Sequence, residues 1–183
     1  VRLIALHGHG DEPDAFGARI QPWFSPLAAE IVTPPGPIAL DTGRAWFNDG
    51  SPGELTALVA ALDDTLEGPD DVIVGWSQGT AAALAYAMHE PTRPVHALAG
   101  IAGWFPTLDG HHLAATPGLS LLLVHGDDDE VVDPMLGRSA ARLAERNGAD
   151  VRWSTIDAGH ELDAAIPTVL SWLAARERPT TPR

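Results

Sequence analysis

The chain has 183 residues, no cysteine and no lysine, and its 11 basic against 25 acidic residues leave a formal charge of −14. A chain this acidic repels phosphate backbones and acidic lipid surfaces, which excludes nucleic acid as a partner. Without thiols or lysine it has no disulfide, no thiolate or Cys-ligated metal chemistry, no lysine Schiff base and no P-loop lysine.

The length suits one α/β domain over residues 1–176, with a short Pro/Thr tail at 177–183 expected to fray. Residues 3–6 form a buried apolar strand ending at His7-Gly8, and a helix is predicted over 14–30. Ile31-Val32 reads as a second short strand. Residues 34–53 form a long Pro/Gly-rich connection, and a structureless stretch of that length is usually functional. Pro52-Gly53-Glu54 opens a helix to about residue 66, and 72–75 is a β-branched strand. A helix over 81–89, a strand over 95–101 and a strand over 119–125 follow. An amphipathic helix over 134–146 stops at Gly148, and a strand over 151–156 and a helix over 162–176 complete the chain.

The strands are nearly continuous apolar runs, as in a parallel sheet covered by helices on both faces. Their alternation with helices predicts a mostly parallel, doubly wound sheet of about six strands, with ligands at the carboxyl ends. No apolar run is long enough to span a bilayer, and the N-terminal run lacks a signal-peptide core. A soluble, cytoplasmic protein without membrane insertion is the expectation.

Gly75-Trp76-Ser77-Gln78-Gly79 is G-x-S-x-G between a predicted strand and a predicted helix. That context makes a nucleophile elbow: the serine occupies a sharp, strained turn, glycines two residues away avoid collision, and the helix N-terminus faces developing negative charge. A serine hydroxyl needs a base and an orienting acid, which in this architecture follow the serine in the chain order acid, then histidine. Of eight histidines, His160 alone combines a strand end, a preceding glycine and the correct order. His7 and His125 read as buried structural residues, His89 as a surface residue, His96 as the start of a strand, and His111-His112 as loop residues. The acid lies among Asp127, Asp128, Asp129 and Asp133, and spacing alone does not choose between them. A metal site is not expected: these carboxylates lack the calcium-loop pattern, and no H-E-x-x-H occurs. The backbone N–H groups of Gln78 and of His9, in the loop His7-Gly8-His9-Gly10-Asp11, are candidate oxyanion donors.

The ordered set of motifs resembles the phospholipase/carboxylesterase family, which includes acyl-protein thioesterases, within the α/β-hydrolases. The matching pieces are Leu6-His7-Gly8-His9-Gly10-Asp11, Arg44-Ala45-Trp46-Phe47, Gly75-Trp76-Ser77-Gln78-Gly79, Gly103-Trp104-Phe105-Pro106, the stretch His125-Gly126-Asp127-Asp128-Asp129-Glu130-Val131-Val132, and Gly159-His160. Trp76 stands where the family usually has Phe, and His9 where it has an aliphatic residue. The resemblance implies the α/β-hydrolase fold, Asp129 as the acid, no cofactor, and a small-molecule ester or thioester substrate. The activity expected is serine carboxylesterase or thioesterase action on short- to medium-chain acyl groups. Trp46, Phe47, Trp76 and Trp104 (with Phe105) are candidates for the acyl pocket, against a role as anchors of loops on the core. The alternatives are a lysophospholipase, a dienelactone-type hydrolase, whose usual nucleophilic cysteine is missing here, and a non-catalytic binding protein keeping the fold.

Overall fold

The computed structural model describes residues 1–48, 51–89, 95–106 and 113–176. Its strands are β1 (Arg2–Leu6), β2 (Glu30–Val32), β3 (Ile38–Ala39), β4 (Arg44–Ala45), β5 (Asp71–Trp76), β6 (Ala97–Ile101), β7 (Ser120–Gly126) and β8 (Asp150–Ile156). Its helices are α1 (Pro13–Phe24), α2 (Pro52–Asp63), α3 (Gln78–His89), α4 (Pro134–Arg146) and α5 (Leu162–Arg176). The tail at 177–183 and the His111-His112 pair lie outside the described residues.

Six strands form one sheet in the order β2-β1-β5-β6-β7-β8, and every neighbouring pair is parallel. Successive strand residues point to opposite faces, and the sequence supplies apolar residues for both. Ile4, Leu6, Ile73, Leu98, Leu121 and Leu123 meet α2, α3 and α4 on one face. Leu3, Ala5, Val72, Val74, Leu122 and Val124 meet α1 and α5 on the other. This is the α/β-hydrolase architecture expected from the motifs. The chain winds outward from β1 to β2, then returns to lay β5 on the other side of β1, so the order reverses between β1 and β5. A crevice at such a reversal, at the carboxyl ends of the strands, is where open α/β sheets bind ligands.

The bounds of α4 and α5 agree with the sequence reading, whereas α1 stops at Phe24, six residues short of its predicted end. Pro26 has no N–H to donate back to residue 22, and with Pro22 already inside α1 the helix has lost two donors within five residues and ends. The connection after β2 is not structureless either. It contains the antiparallel β3–β4 pair, turned at Gly43, whose φ is +71°. A Cβ on Gly43 would lie 2.1 Å from the Gly10 carbonyl oxygen, so this hairpin is pressed directly onto the loop that follows β1.

The carboxyl ends of β5 and β6 are joined through one buried hydroxyl. Thr80 Oγ1 lies 2.8 Å from the Gly75 carbonyl oxygen and 2.9 Å from that of Ile101, and it accepts the Ile101 N–H at 2.9 Å. Thr80 is fully buried, so its loss leaves polar backbone groups without water. Thr80→Val keeps the side-chain shape and removes the hydroxyl; urea unfolding is expected to show a loss of about 1–3 kcal/mol.

Candidate active site

Ser77 follows the last residue of β5 and precedes the first residue of α3, with φ at +52°. A non-glycine residue there carries backbone strain of about 1–2 kcal/mol. The flanking glycines are required by contact rather than flexibility. A Cβ on Gly75 would lie 2.6 Å from Thr80 Cα, and one on Gly79 would lie 2.1 Å from the Leu6 carbonyl oxygen. The second of these contacts seats the start of α3 against the end of β1. The Ser77 N–H donates to the Ile101 carbonyl at 2.9 Å, tying the turn to β6.

Three sequence-predicted residues meet at this edge. Ser77 Oγ is 3.1 Å from His160 Nε2, and His160 Nδ1 is 2.7 Å from Asp129 Oδ2. These residues are separated by 83 and 31 positions in the chain and come from three different strand ends. Asp129 is distinguished from its neighbours by burial: it is 5% exposed, whereas Asp127 and Asp128 are exposed. Asp133 has a different task, since its side chain accepts the Met135 N–H at 2.8 Å and caps α4. Asp129 Oδ1 accepts the N–H groups of Val131 at 2.9 Å and Val132 at 2.8 Å. Burial pushes the Asp129 carboxyl up, but the hydrogen bonds from His160, Val132 and Val131 outweigh it and hold the group below its ordinary value. It stays ionised and orients His160 with Nδ1 protonated and Nε2 free to accept.

Trp76 stands beside the imidazole, ring centroids 4.5 Å apart. On its other side, the place of a Cβ on Gly8 lies 3.0 Å from Trp76 Cδ1. The indole therefore fills the space between the loop after β1 and His160.

In that loop the His9 N–H, like that of Gln78, donates to no group among the described residues. Amides without a partner in the protein are what an oxyanion pair requires. The loop is held from three directions. Asp11 Oδ2 accepts the Gly8 N–H at 2.9 Å, Gly10 N–H donates to the Arg44 carbonyl at 2.9 Å, and Arg44 N–H donates to the Asp11 carbonyl at 3.0 Å. His7 is the third tie. Its Nδ1 lies 2.7 Å from the Gly8 carbonyl oxygen, and its Nε2 accepts the Gly36 N–H at 3.1 Å. The acceptor role of Nε2 fixes the neutral tautomer with the hydrogen on Nδ1.

The candidate pocket residues divide by burial. Trp46 is fully buried; its Nε1 donates to the His7 carbonyl at 2.9 Å, which makes it an anchor beneath the loop in this structure. Phe47 is 7% exposed and meets Trp104 edge-on at 6.3 Å. Trp104 and Phe105 continue into a groove of about 340 Å³ shared with Pro106, Leu113, Leu136 and Leu143. Sequence reasoning missed the Gln78 side chain: its Oε1 accepts the Trp46 N–H at 2.9 Å, and its Nε2 donates to the Phe47 carbonyl at 2.7 Å. Nothing in local spacing signals a contact 31 or 32 residues away. Among the described residues no group of three or more His, Asp or Glu is placed to hold a metal ion, and no helix is long and apolar enough to cross a membrane.

Residues 50–168 match the phospholipase/carboxylesterase family. The chain belongs to that family. As a phospholipase/carboxylesterase member it is an α/β-hydrolase. Solved structures agree in fold. A carboxylesterase from Mesorhizobium loti is 25% identical, with a TM-score of 0.79 over 94% of this chain and 88% of that one. The esterase PE8 is 24% identical, with a TM-score of 0.78 over 95% and 91% of the two chains. Zea mays acyl-protein thioesterase 2 is 21% identical, with a TM-score of 0.71 over 96% and 93%.

Burial holds His7 below its ordinary value, although the hydrogen bond to Gly8 and the nearby Asp11 oppose this. The unfolded chain takes up a proton near pH ~6.5, which the native state refuses. Stability is therefore full above that pH and falls as pH drops below it, because the unfolded state then binds more protons. Urea unfolding at pH 8 and pH 5 is expected to show this loss in the native protein, and a smaller loss in His7→Asn, which has no group titrating at that position.

Proposed function

We propose that this protein is a cofactor-independent serine carboxylesterase or thioesterase that hydrolyses short- to medium-chain acyl esters or thioesters. The observation that carries this reading is the continuous hydrogen-bonded line from Ser77 Oγ to His160 at 3.1 Å and on to Asp129 at 2.7 Å. His160 Nε2 takes the Ser77 proton as Oγ attacks the substrate carbonyl carbon. The carbonyl oxygen becomes an oxyanion held by the N–H groups of Gln78 and His9. Asp129 stabilises the imidazolium without taking its proton. The imidazolium then protonates the leaving alcohol or thiol, and an acyl-Ser77 ester remains. Water attacks this ester with His160 again as base, releasing the carboxylic acid and restoring the hydroxyl.

The groove running from Trp104 and Phe105 to Leu136 supports an acyl chain of modest length, since it is apolar and open to solvent at one side. Leu136 is 51% exposed at its rim. In this reading Trp104 forms part of its wall, with Phe47 packed edge-on against it.

The test is hydrolysis of p-nitrophenyl esters from acetate to decanoate, with matched thioesters. Ser77→Ala is expected to lower kcat by at least about a thousandfold, and Asp129→Asn by about ten-thousandfold. Near-normal turnover by Ser77→Ala would refute the assignment. A fluorophosphonate is expected to label the native protein and not Ser77→Ala; a non-catalytic binding protein would not be labelled at all. A rate maximum at hexanoate or below would fit the groove, whereas a maximum at decanoate would favour lysophospholipid-like substrates.

A further inference from the structure

The histidine of the His125-Gly126 pair at the end of β7 has no part in the chemistry above, yet it touches the acid. His125 Nε2 is 3.2 Å from Asp129 Oδ2, the same oxygen that meets His160 Nδ1 at 2.7 Å. His125 Nε2 is also 2.9 Å from the Val132 carbonyl oxygen. Both neighbours are acceptors, so Nε2 carries the hydrogen; it is bonded to the Val132 carbonyl, with Asp129 Oδ2 in contact beside it. The Asp129 carboxylate accepts three hydrogen bonds, the two amide N–H groups on Oδ1 and His160 Nδ1 on Oδ2, and Oδ2 also meets the edge of the His125 ring at 3.2 Å.

We propose that His125 is a positioning residue for the hydrolytic reaction, a second imidazole that fixes Asp129 Oδ2 against His160 and shares its negative charge. The inference rests on the reading of Ser77, Asp129 and His160 as the catalytic line. Donors on both oxygens lock the carboxylate plane, so Oδ2 cannot rotate away from His160. A carboxylate so supplied with donors has a lower proton affinity and remains ionised when His160 becomes imidazolium.

The surroundings of His125 suit this task better than that of an inert core filler. Its ring is 1% exposed and is clamped in place. A Cβ on Gly137 of α4 would lie 2.4 Å from His125 Nδ1, so α4 needs a glycine there to admit the imidazole. Trp153 of β8 lies 6.0 Å away by ring centroids. Among the described residues, the titratable groups paired with the Asp129 carboxylate are His125 and His160. A filler satisfied by Val132 would need no carboxylate at its edge; here Asp129 Oδ2 lies 3.2 Å from the same ring nitrogen.

The experiment compares the native protein with His125→Leu, which has no donor, and His125→Gln, which keeps a neutral N–H donor at a similar reach. Steady-state hydrolysis of p-nitrophenyl acetate is followed from pH 5 to pH 9, with the melting temperature of each protein. His125→Leu is expected to lower kcat about 10- to 100-fold with KM within about twofold. It is also expected to move the acidic limb of the kcat/KM profile to higher pH, because the Asp129 charge is then concentrated on His160. His125→Gln should recover most of both changes. A lower melting temperature with an unmoved limb and unmoved kcat, or equal impairment of Leu and Gln variants, would overturn the proposal in favour of packing alone. Should His125→Leu fail to fold, Gly137→Ala decides, since its methyl group displaces the imidazole from the α4 side: a moved limb supports the proposal and an unmoved one refutes it. Ser77→Ala and Asp129→Asn are assayed alongside. If they are inactive while His125→Leu is fully active, the positioning role fails and the catalytic line stands; if they are active, the catalytic line itself has failed.

Discussion

The left-handed backbone at Ser77 is the constraint on which the rest of the catalytic edge depends. With φ at +52°, the chain reverses sharply enough to leave the hydroxyl above the sheet. The turn forces glycine at 75 and 79, because the space for a side chain is taken by Thr80 on one side and by the Leu6 carbonyl on the other. That second contact brings β1 and α3 together and puts the loop after β1 beside Gln78. The strain is held by the sheet beneath: Ser77 N–H and Thr80 Oγ1 both bond the end of β6. A second residue with this backbone, Ala102 with φ at +50°, ends β6 and is itself bonded to Val124 of β7. The two turns leave adjacent parallel strands at the same height, and Gly103 then lies close enough to the elbow that a Cβ there would be 3.1 Å from the Ser77 carbonyl.

Around this elbow the chain after β2 acts as a strap. It contributes no strand to the main sheet, yet it meets the loop after β1 at Gly36, Gly43, Arg44 and Trp46. Most of these ties are hydrogen bonds made to backbone groups that would otherwise be stranded away from water. Gln78 links strap and elbow, since its side chain holds Trp46 and Phe47 while its N–H remains free. One residue thus couples the position of an apolar wall to that of a hydrogen-bond donor.

Much of this was legible in the sequence because it is periodic or punctuated. The six-strand parallel sheet follows from apolar runs alternating with helical ones, and the bounds of α4 follow from Pro134 and the glycine at 148. Ser77 and His160 could be placed by motif and chain order. Asp129 could not be separated from Asp127, Asp128 and Asp133 by spacing, because burial and not position distinguishes it, and burial is a property of the folded loop. The early end of α1 was written in Pro26 but masked by a continuing apolar pattern. The β3–β4 pair, the Gln78 clamp and the contact of His125 with Asp129 were invisible for a different reason. Two-residue strands carry no period, and side chains that bond across 31 or more positions, as Gln78 does, leave no local signature. Trp46 shows the same limit: tryptophan fits a pocket wall and a core anchor equally well, and only its zero exposure separates the two.

The distribution of the site along the chain has a consequence for how activity arises during synthesis. The chain is made from the N-terminus onward, while a domain folds as a unit. The elbow and the loop after β1 can come together once β5 is complete, but His160 lies 83 residues beyond Ser77, after the last strand of the sheet. It reaches its place only when β8 has paired with β7 and Gly126 has received the chain at Ala158 and Gly159. A nascent or truncated chain therefore holds the elbow without the histidine that meets Ser77 Oγ in the finished structure. The line from Ser77 through His160 to Asp129 is thus among the last parts of the structure to close.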